Sequence, residues 1–236
     1  MTTNSLDTLL SQIEEDKMWR EEELRFFENQ LANIRDNSDK QKFFSKALIL
    51  LLYSIFEGHV KFIFECYVRE INNQRLNCKD VITELTASNL NRIFEEFKNT
   101  QRIPKNHPIF KKEHSKGFVE LGRRIEFLDN LDQIMSSPIY LDVSKIVDTE
   151  SNLTKDVLLR ILFRIGFDNN ILDTHIQAIN KLLEFRNAIA HGSRKNGWSY
   201  DEYIDIKTNI FDLISLIRHS VITNFSGKKF LRNFHT

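Results

Sequence analysis

The chain has few of the residues that interrupt helices or cross-link a fold. Its 236 residues include only 7 glycines and 3 prolines. Because these two residue types mark turns and loops, their scarcity predicts long helices. The 2 cysteines, Cys66 and Cys78, match no metal-ligand spacing. We therefore expect neither a disulfide framework nor a cysteine metal site.

The chain also carries no net charge. The 33 basic residues are balanced by 33 acidic residues, and the isoelectric point is near 7.1. The chain thus lacks the bulk positive field of proteins that coat nucleic acids without selectivity. Any polyanion that it binds must contact a local basic patch.

Membrane and cofactor signals are missing as well. The sequence does not open with a basic segment followed by an apolar one, and its longest apolar run, ALILLLYSIF at 47–56, falls short of the ~20 residues that cross a bilayer. Phosphate-binding glycine loops, H-E-x-x-H and paired D-x-D motifs are absent from the sequence. We expect a cytoplasmic, soluble protein with no membrane partner, no cofactor and no metal.

The sequence does contain apolar residues at helical intervals. They predict an amphipathic helix over 6–34, a second helix over 39–73 that is apolar nearly all round and therefore central, and a third over 81–97. A further helix ends at Gly166, and capping boxes at 174–177 and 199–202 predict the starts of two more. No strand-like alternation occurs, so the prediction is an all-α antiparallel helical bundle.

Residues 98–150 fit this pattern least well. Two of the three prolines and six lysines or arginines fall within 98–118, which predicts a locally positive loop. A short helix over 118–135 and a linker follow. We interpret residues 1–236 as one domain in which 98–150 is an insertion or a long connection, and its role as a lid or a partner-binding segment is left open.

The stretch EFRNAIAHGS, residues 184–193, carries the clearest chemical signal. On a continuous helix Arg186 and His191 would lie about 140° apart and could not share a face. Gly192 can adopt positive φ and end the helix near residue 190, which leaves Arg186 on the last turn and frees His191. The negative end of the helix dipole favours a protonated imidazole, and arginine offers a bidentate fork for phosphate.

These groups suffice to cleave RNA without a metal. A base removes the 2′-OH proton, a cation stabilises the charged phosphorane, and an acid protonates the leaving 5′-oxygen. One histidine cannot easily do both proton transfers at once, but two copies of the site across a two-fold axis could divide them. The alternative is structural, since arginine and histidine are common at helix C-termini, where they cap carbonyl groups.

RNAIAHG resembles the R-x4-H signature of the HEPN superfamily. With the upstream stretches WREEEL, YSIFEGHVKFIFECYV and NLTKDVLLRILFRIGFD, the region from about 18 to 222 resembles the MAE-like branch of HEPN ribonucleases and toxins. The resemblance implies a four-helix core with additional helices, a two-fold dimer and one composite cleft. It also implies an endoribonuclease that leaves a 2′,3′-cyclic phosphate, in a toxin or antiphage-defence effector.

The resemblance also assigns roles to individual residues. Arg186 would hold the scissile phosphate, His191 would transfer protons and Asn187 would position them. Glu57, which precedes a glycine on the apolar second helix, would orient Arg186 or His191; an ion pair within the bundle is the alternative. The expected partners are an RNA substrate, a second copy of the chain, and an antitoxin or defence-complex partner.

Three further features have less specific interpretations. Arg194 and Lys195 either widen a basic rim for RNA or form a solvated turn. Some HEPN toxins carry a tyrosine two residues after the histidine, which a partner antitoxin modifies; Ser193 stands there, so we do not expect that control. His59 is expected to be a hydrogen-bonded core or groove histidine.

A second function stays open from the sequence. The chain could be a catalytically inactive HEPN-type module that dimerises, or binds nucleotide or RNA, within a defence complex. The complete set of arginine, polar residue and histidine favours the nuclease, because an inactive module has no need to keep all three.

Overall fold

The computed structural model of the protein describes residues 3–32, 34, 38–104, 116–193 and 195–232. Within these ranges there are ten α-helices and no β-strand, which confirms the all-α prediction. The helices are α1 Thr3–Ala32, α2 Ser38–Asn73, α3 Thr83–Asn89, α4 Asn91–Lys98, α5 Lys116–Asp129, α6 Leu131–Ser136, α7 Val143–Ile146, α8 Lys155–Arg164, α9 Ile176–Ala190 and α10 Tyr200–Ser226.

Helices α1, α2, α9 and α10 form the core, with α2 packed against the other three. Fully buried side chains lie on several sides of α2, including Leu48, Leu52, Phe56, Ile63 and Phe64. A helix that is apolar nearly all round is stable in this position, because each face meets a neighbouring helix. The central place expected for the second helix is therefore confirmed.

Helix α2 is also long and apolar enough to cross a membrane, by length and composition alone. However, 56% of its most apolar stretch of 18 residues is buried inside the fold. Such burial is what a core helix shows. The cytoplasmic location and the lack of a membrane partner remain predictions.

Two local predictions fail for tertiary reasons. The helix expected over 81–97 divides into α3 and α4 at Leu90, where the preceding Asn89 side chain donates to Cys78 Sγ and accepts from the Tyr140 amide. The capping box at 174–177 does not form. A 3₁₀ turn, Asn169–Leu172, continues into a backbone bond from the His175 amide to the Leu172 carbonyl, so His175 takes the N-cap position without a side-chain cap.

The 98–150 region is more ordered than a plain connection. Its predicted helix 118–135 is present as α5 and α6. Helix α7 packs on α2, and Leu141, Ile146 and Val147 are buried in the main core. The loop predicted over 98–118 lies largely at 105–115, outside the described residues, and the division of the chain into domains stays a prediction.

Candidate active site

The C-terminal end of α9 forms the turn that the glycine predicts. Gly192 has φ +63°, the Gly192 amide donates to the Ile189 carbonyl at 3.1 Å, and the Ser193 amide donates to the Ala188 carbonyl at 3.1 Å. These paired bonds define a Schellman motif, which satisfies carbonyls that a helix end leaves free. His191 is the C-cap residue, and the predicted helix end is confirmed.

Two neighbours hold the Arg186 side chain. Its Nη1 donates to Asn187 Oδ1 at 2.9 Å, and its Cζ lies 5.1 Å from the centroid of the Tyr53 ring. The first contact fixes one edge of the guanidinium, and the second is a cation–π interaction. Because the residue is only half-buried, the rest of the guanidinium can still reach a phosphate.

Tyr53 of α2 was not identified from the sequence. Its hydroxyl donates to Asn152 Oδ1 at 2.8 Å and accepts from the Leu153 amide at 3.0 Å, so it ties α2 to the segment before α8. Burial, and next the adjacent Glu57 carboxylate, raise the pKa of the Tyr53 phenol above its usual range. The phenol therefore stays neutral at any physiological pH. The only sequence signal for this pair is the spacing of four residues between Tyr53 and Glu57.

Glu57 is half-buried beside Tyr53. Within the described part of the chain, no ion pair joins it to Arg186 or His191. Tyr53 lies next to both Glu57 and Arg186. The orienting role expected for Glu57 stays a prediction, now with Tyr53 as the intermediate.

His191 is exposed at the end of α9. Among the residues that the structure describes, no hydrogen bond or ring contact links it to Arg186. A single chain thus presents a held cation and a separate, solvent-facing imidazole. The same ranges contain no group of three His, Cys, Asp or Glu side chains that could hold a metal ion.

The loop after the motif is fixed to α2. The Lys195 carbonyl accepts a hydrogen bond from Lys46 Nζ, and the Trp198 amide donates to Ser45 Oγ at 3.0 Å. The Trp198 ring is 1% exposed and stacks on Phe185 with 4.0 Å between centroids. This stack anchors the residue that precedes Arg186. The Lys195 side chain is exposed, as a basic rim requires, whereas Arg194 lies outside the described residues.

We expect Gly197→Ala to destabilise the protein by about 1–3 kcal/mol, the usual cost of overpacking. A β-carbon at Gly197 would lie 1.7 Å from the Lys42 carbonyl oxygen and 2.5 Å from Ser45 Oγ, so the loop would have to leave α2. Urea denaturation measures the change. Gly117→Ala at the start of α5 is the control: nothing lies within 4 Å of its β-carbon, and a change within about 0.5 kcal/mol is expected. Equal effects of both substitutions would contradict the close approach.

Comparison with known protein families places the chain in one of them. Residues 15–222 match the model of the family described as RiboL-PSP-HEPN. No curated protein and no solved structure shows a significant match. The match confirms the HEPN superfamily and supports a nuclease- or RNA-related module, while the likeness to the MAE-like branch stays a prediction. Because the match covers most of the chain, the protein belongs to the RiboL-PSP-HEPN family.

Proposed function

We propose that the protein is a metal-independent endoribonuclease that works as a homodimer in a toxin or antiphage-defence system. One observation carries the proposal. At the end of α9, Arg186 is held by Asn187 and Tyr53 while His191 stands exposed beyond it. A fixed cation can stabilise the phosphorane of RNA transesterification, and an exposed imidazole can transfer one of its protons.

The reaction follows from these groups. The substrate 2′-oxygen attacks phosphorus, the bond from phosphorus to the 5′-oxygen breaks, and a 2′,3′-cyclic phosphate and a 5′-hydroxyl result. An imidazole accepts the 2′ proton, and a second, protonated imidazole supplies the proton to the leaving oxygen. The Arg186 guanidinium stabilises the charge on the phosphorane with its bidentate fork.

The need for two imidazoles is the argument for a dimer. His191 and Arg186 do not touch within one chain, and His191 faces solvent. A two-fold axis close to the end of α9 would bring two copies of each residue into one cleft, with one histidine as base and the other as acid. The expected partners are therefore RNA, a second copy of this chain, and an antitoxin or defence-complex protein.

Tyrosine modification by an antitoxin is not part of the proposal. Ser193 stands at the position where some HEPN toxins carry the modified tyrosine. Its Oγ donates a hydrogen bond to the Ala188 carbonyl. A protein partner would instead have to cover the cleft or oppose its assembly.

The product ends give a direct test of the chemistry. Purified full-length protein is incubated with structured RNA in EDTA, and the fragment ends are analysed. We expect cleavage with 2′,3′-cyclic phosphate ends, and no cleavage at a site that carries a 2′-deoxynucleotide, because the nucleophile is then missing. RNA that stays intact would favour the inactive module, since contacts of Arg186 with Asn187 and Tyr53 would also serve simply to close the helix end.

Two substitutions of Tyr53 test its role as a positioning residue. Tyr53→Phe keeps the ring under Arg186 but loses two hydrogen bonds, so we expect a stability loss of about 1–3 kcal/mol and a nearly unchanged cleavage rate. Tyr53→Leu removes the cation–π contact and should lower single-turnover cleavage by about tenfold or more, since Arg186 loses its orientation. A folded Tyr53→Leu variant that cleaves as fast as wild type would exclude this role.

A further inference from the structure

Helix α5 turns its apolar side chains outward. Four of them form one row on its outer side, and each is between 37% and 63% exposed: Phe118, Leu121, Ile125 and Leu128, which we call the α5 stripe. An ordinary surface helix does the reverse, because it buries its apolar stripe and exposes its charges. A contiguous row of exposed apolar side chains marks a surface that another molecule covers.

The opposite side of α5 is charged and buried. Arg123 is 5% exposed and Glu126 is 8% exposed. Arg123 Nη1 donates to the Arg102 carbonyl at 3.2 Å, and the Glu126 carboxylate lies 3.0 Å from Arg102 Nη1. These contacts fix the rotation of the helix. A rotation that buried the α5 stripe would break them, so the outward direction of the stripe is a property of the fold.

The spacing of the α5 stripe is that of a coiled coil. Its members follow one another after three, four and three residues, which is the strict a and d pattern of a heptad rather than the wider face of a surface helix. Phe118 and Ile125 take the a positions, and Leu121 and Leu128 take the d positions. A β-branched residue at a with leucine at d, as in the second heptad, favours two parallel helices.

The charges beside the stripe specify the partner. In this register Arg124 is a g residue and Asp129 is the e residue five positions further on, and both are exposed. Two parallel copies of α5 would place each Arg124 beside Asp129 of the second copy, whereas two antiparallel copies would oppose like charges. Arg124 also pairs with Glu120 one turn earlier, but that contact is exposed and screened by solvent. The charges therefore complement an identical, parallel helix.

We propose that the α5 stripe binds the α5 stripe of a second copy of this chain, as a parallel pair of helices related by a two-fold axis. Each member of the stripe then meets its own counterpart, and the contact between Arg124 and Asp129 forms twice. Helix α5 lies in the 98–150 region, which thereby gains a partner-binding role. It packs mainly on α4 and α6, whereas α9 packs on α2, α8 and α10, so this contact is separate from the nuclease motif.

Cysteine crosslinking tests the pairing and its direction. Leu121→Cys places a thiol at a d position, where parallel helices bring the two copies within reach of a disulfide. Mild oxidation of the full-length variant should convert most chains into a dimer on a non-reducing gel. Glu120→Cys, at the exposed neighbouring position outside the stripe, should form at least about tenfold less dimer. The native Cys66 and Cys78 are free and buried, so wild type gives the background.

Light scattering of full-length protein at about 100 μM tests the apolar contact, since a short interface needs a high concentration. Leu128→Glu would oppose two carboxylates at one d position, and its mass should be about half that of wild type. The factor is the same whether or not α9 also joins two chains. Phe163→Glu on α8 is the control, because Phe163 is 66% exposed and Leu128 is 63% exposed, and it should keep the wild-type mass.

Either of two results would overturn the proposal: equal crosslinking of Leu121→Cys and Glu120→Cys, or a wild-type mass for folded Leu128→Glu. Each would mean that a second copy does not cover the α5 stripe, which would leave it to a different protein. A thermal melt establishes that every variant is folded. RNA cleavage is not measured and the motif is unchanged, so failure here and failure of the nuclease proposal are separate results.

Discussion

Replacement of Arg186 or His191 by alanine is expected to lower the rate of RNA cleavage by at least about a hundredfold. Loss of a positioned proton-transfer group costs about 10²–10⁴ in rate, and loss of a preorganised cation at the developing phosphorane costs a similar amount. The measurement is single-turnover cleavage of structured RNA in EDTA. The cleavage rate of Arg186→Lys should lie between those of wild type and Arg186→Ala, because lysine keeps the positive charge but lacks the bidentate fork.

Matched surface variants separate this effect from a general loss of charge. Arg92 lies on α4 with its side chain 87% exposed, and His219 is exposed on α10. Alanine at either position should leave cleavage unchanged. Because Arg186 also packs on Tyr53, a thermal melt of every variant must show that the fold persists. Cleavage by folded Arg186→Ala or His191→Ala at the wild-type rate would contradict the assignment.

Asp16→Ala is expected to destabilise the fold by about 3–5 kcal/mol, as removal of one partner of a buried ion pair does. Asp16 accepts hydrogen bonds from Trp19, Arg20 and His59, so alanine leaves three donors unpaired. A β-carbon on Gly58 would lie 2.6 Å from Arg20 Nη1, which shows how closely the guanidinium packs on α2.

Urea denaturation of wild type and Asp16→Ala measures this loss. Glu23→Ala is the control, since Glu23 lies on the same helix and carries the same charge but is exposed; a change within about 0.5 kcal/mol is expected. Equal losses from the two substitutions would mean that Asp16 contributes no more than a surface carboxylate. The seam between α1 and α2 would then depend on apolar contacts alone.

Much of the fold follows from local sequence rules. The limits of α2 and the end of α9 could be predicted because apolar periodicity and a positive-φ glycine act over a few residues. The break between α3 and α4 could not be predicted in this way, because it depends on the hydrogen bonds of Asn89 with Cys78 and Tyr140. Contacts of that kind override local helix preference.

The candidate site also has some residues that the sequence predicts and others that only the structure shows. The motif itself identified Arg186, Asn187 and His191. The Tyr53 support and the Trp198 anchor depend on bonds between residues 99 and 153 positions apart in sequence, which no local pattern encodes. The sequence predicted a hydrogen-bonded His59, but its partner Asp16 lies 43 residues away and emerged only from the packing of α1 on α2.

The most direct test of the account is the cleavage rate of a purified heterodimer of wild-type and His191→Ala chains, isolated with two different affinity tags. If two imidazoles from two chains share the proton transfers, one active histidine cannot replace the pair, and the heterodimer should cleave RNA about a hundredfold more slowly than the wild-type dimer. A heterodimer that retains about half of the wild-type rate would contradict the composite site, because each chain would then act alone.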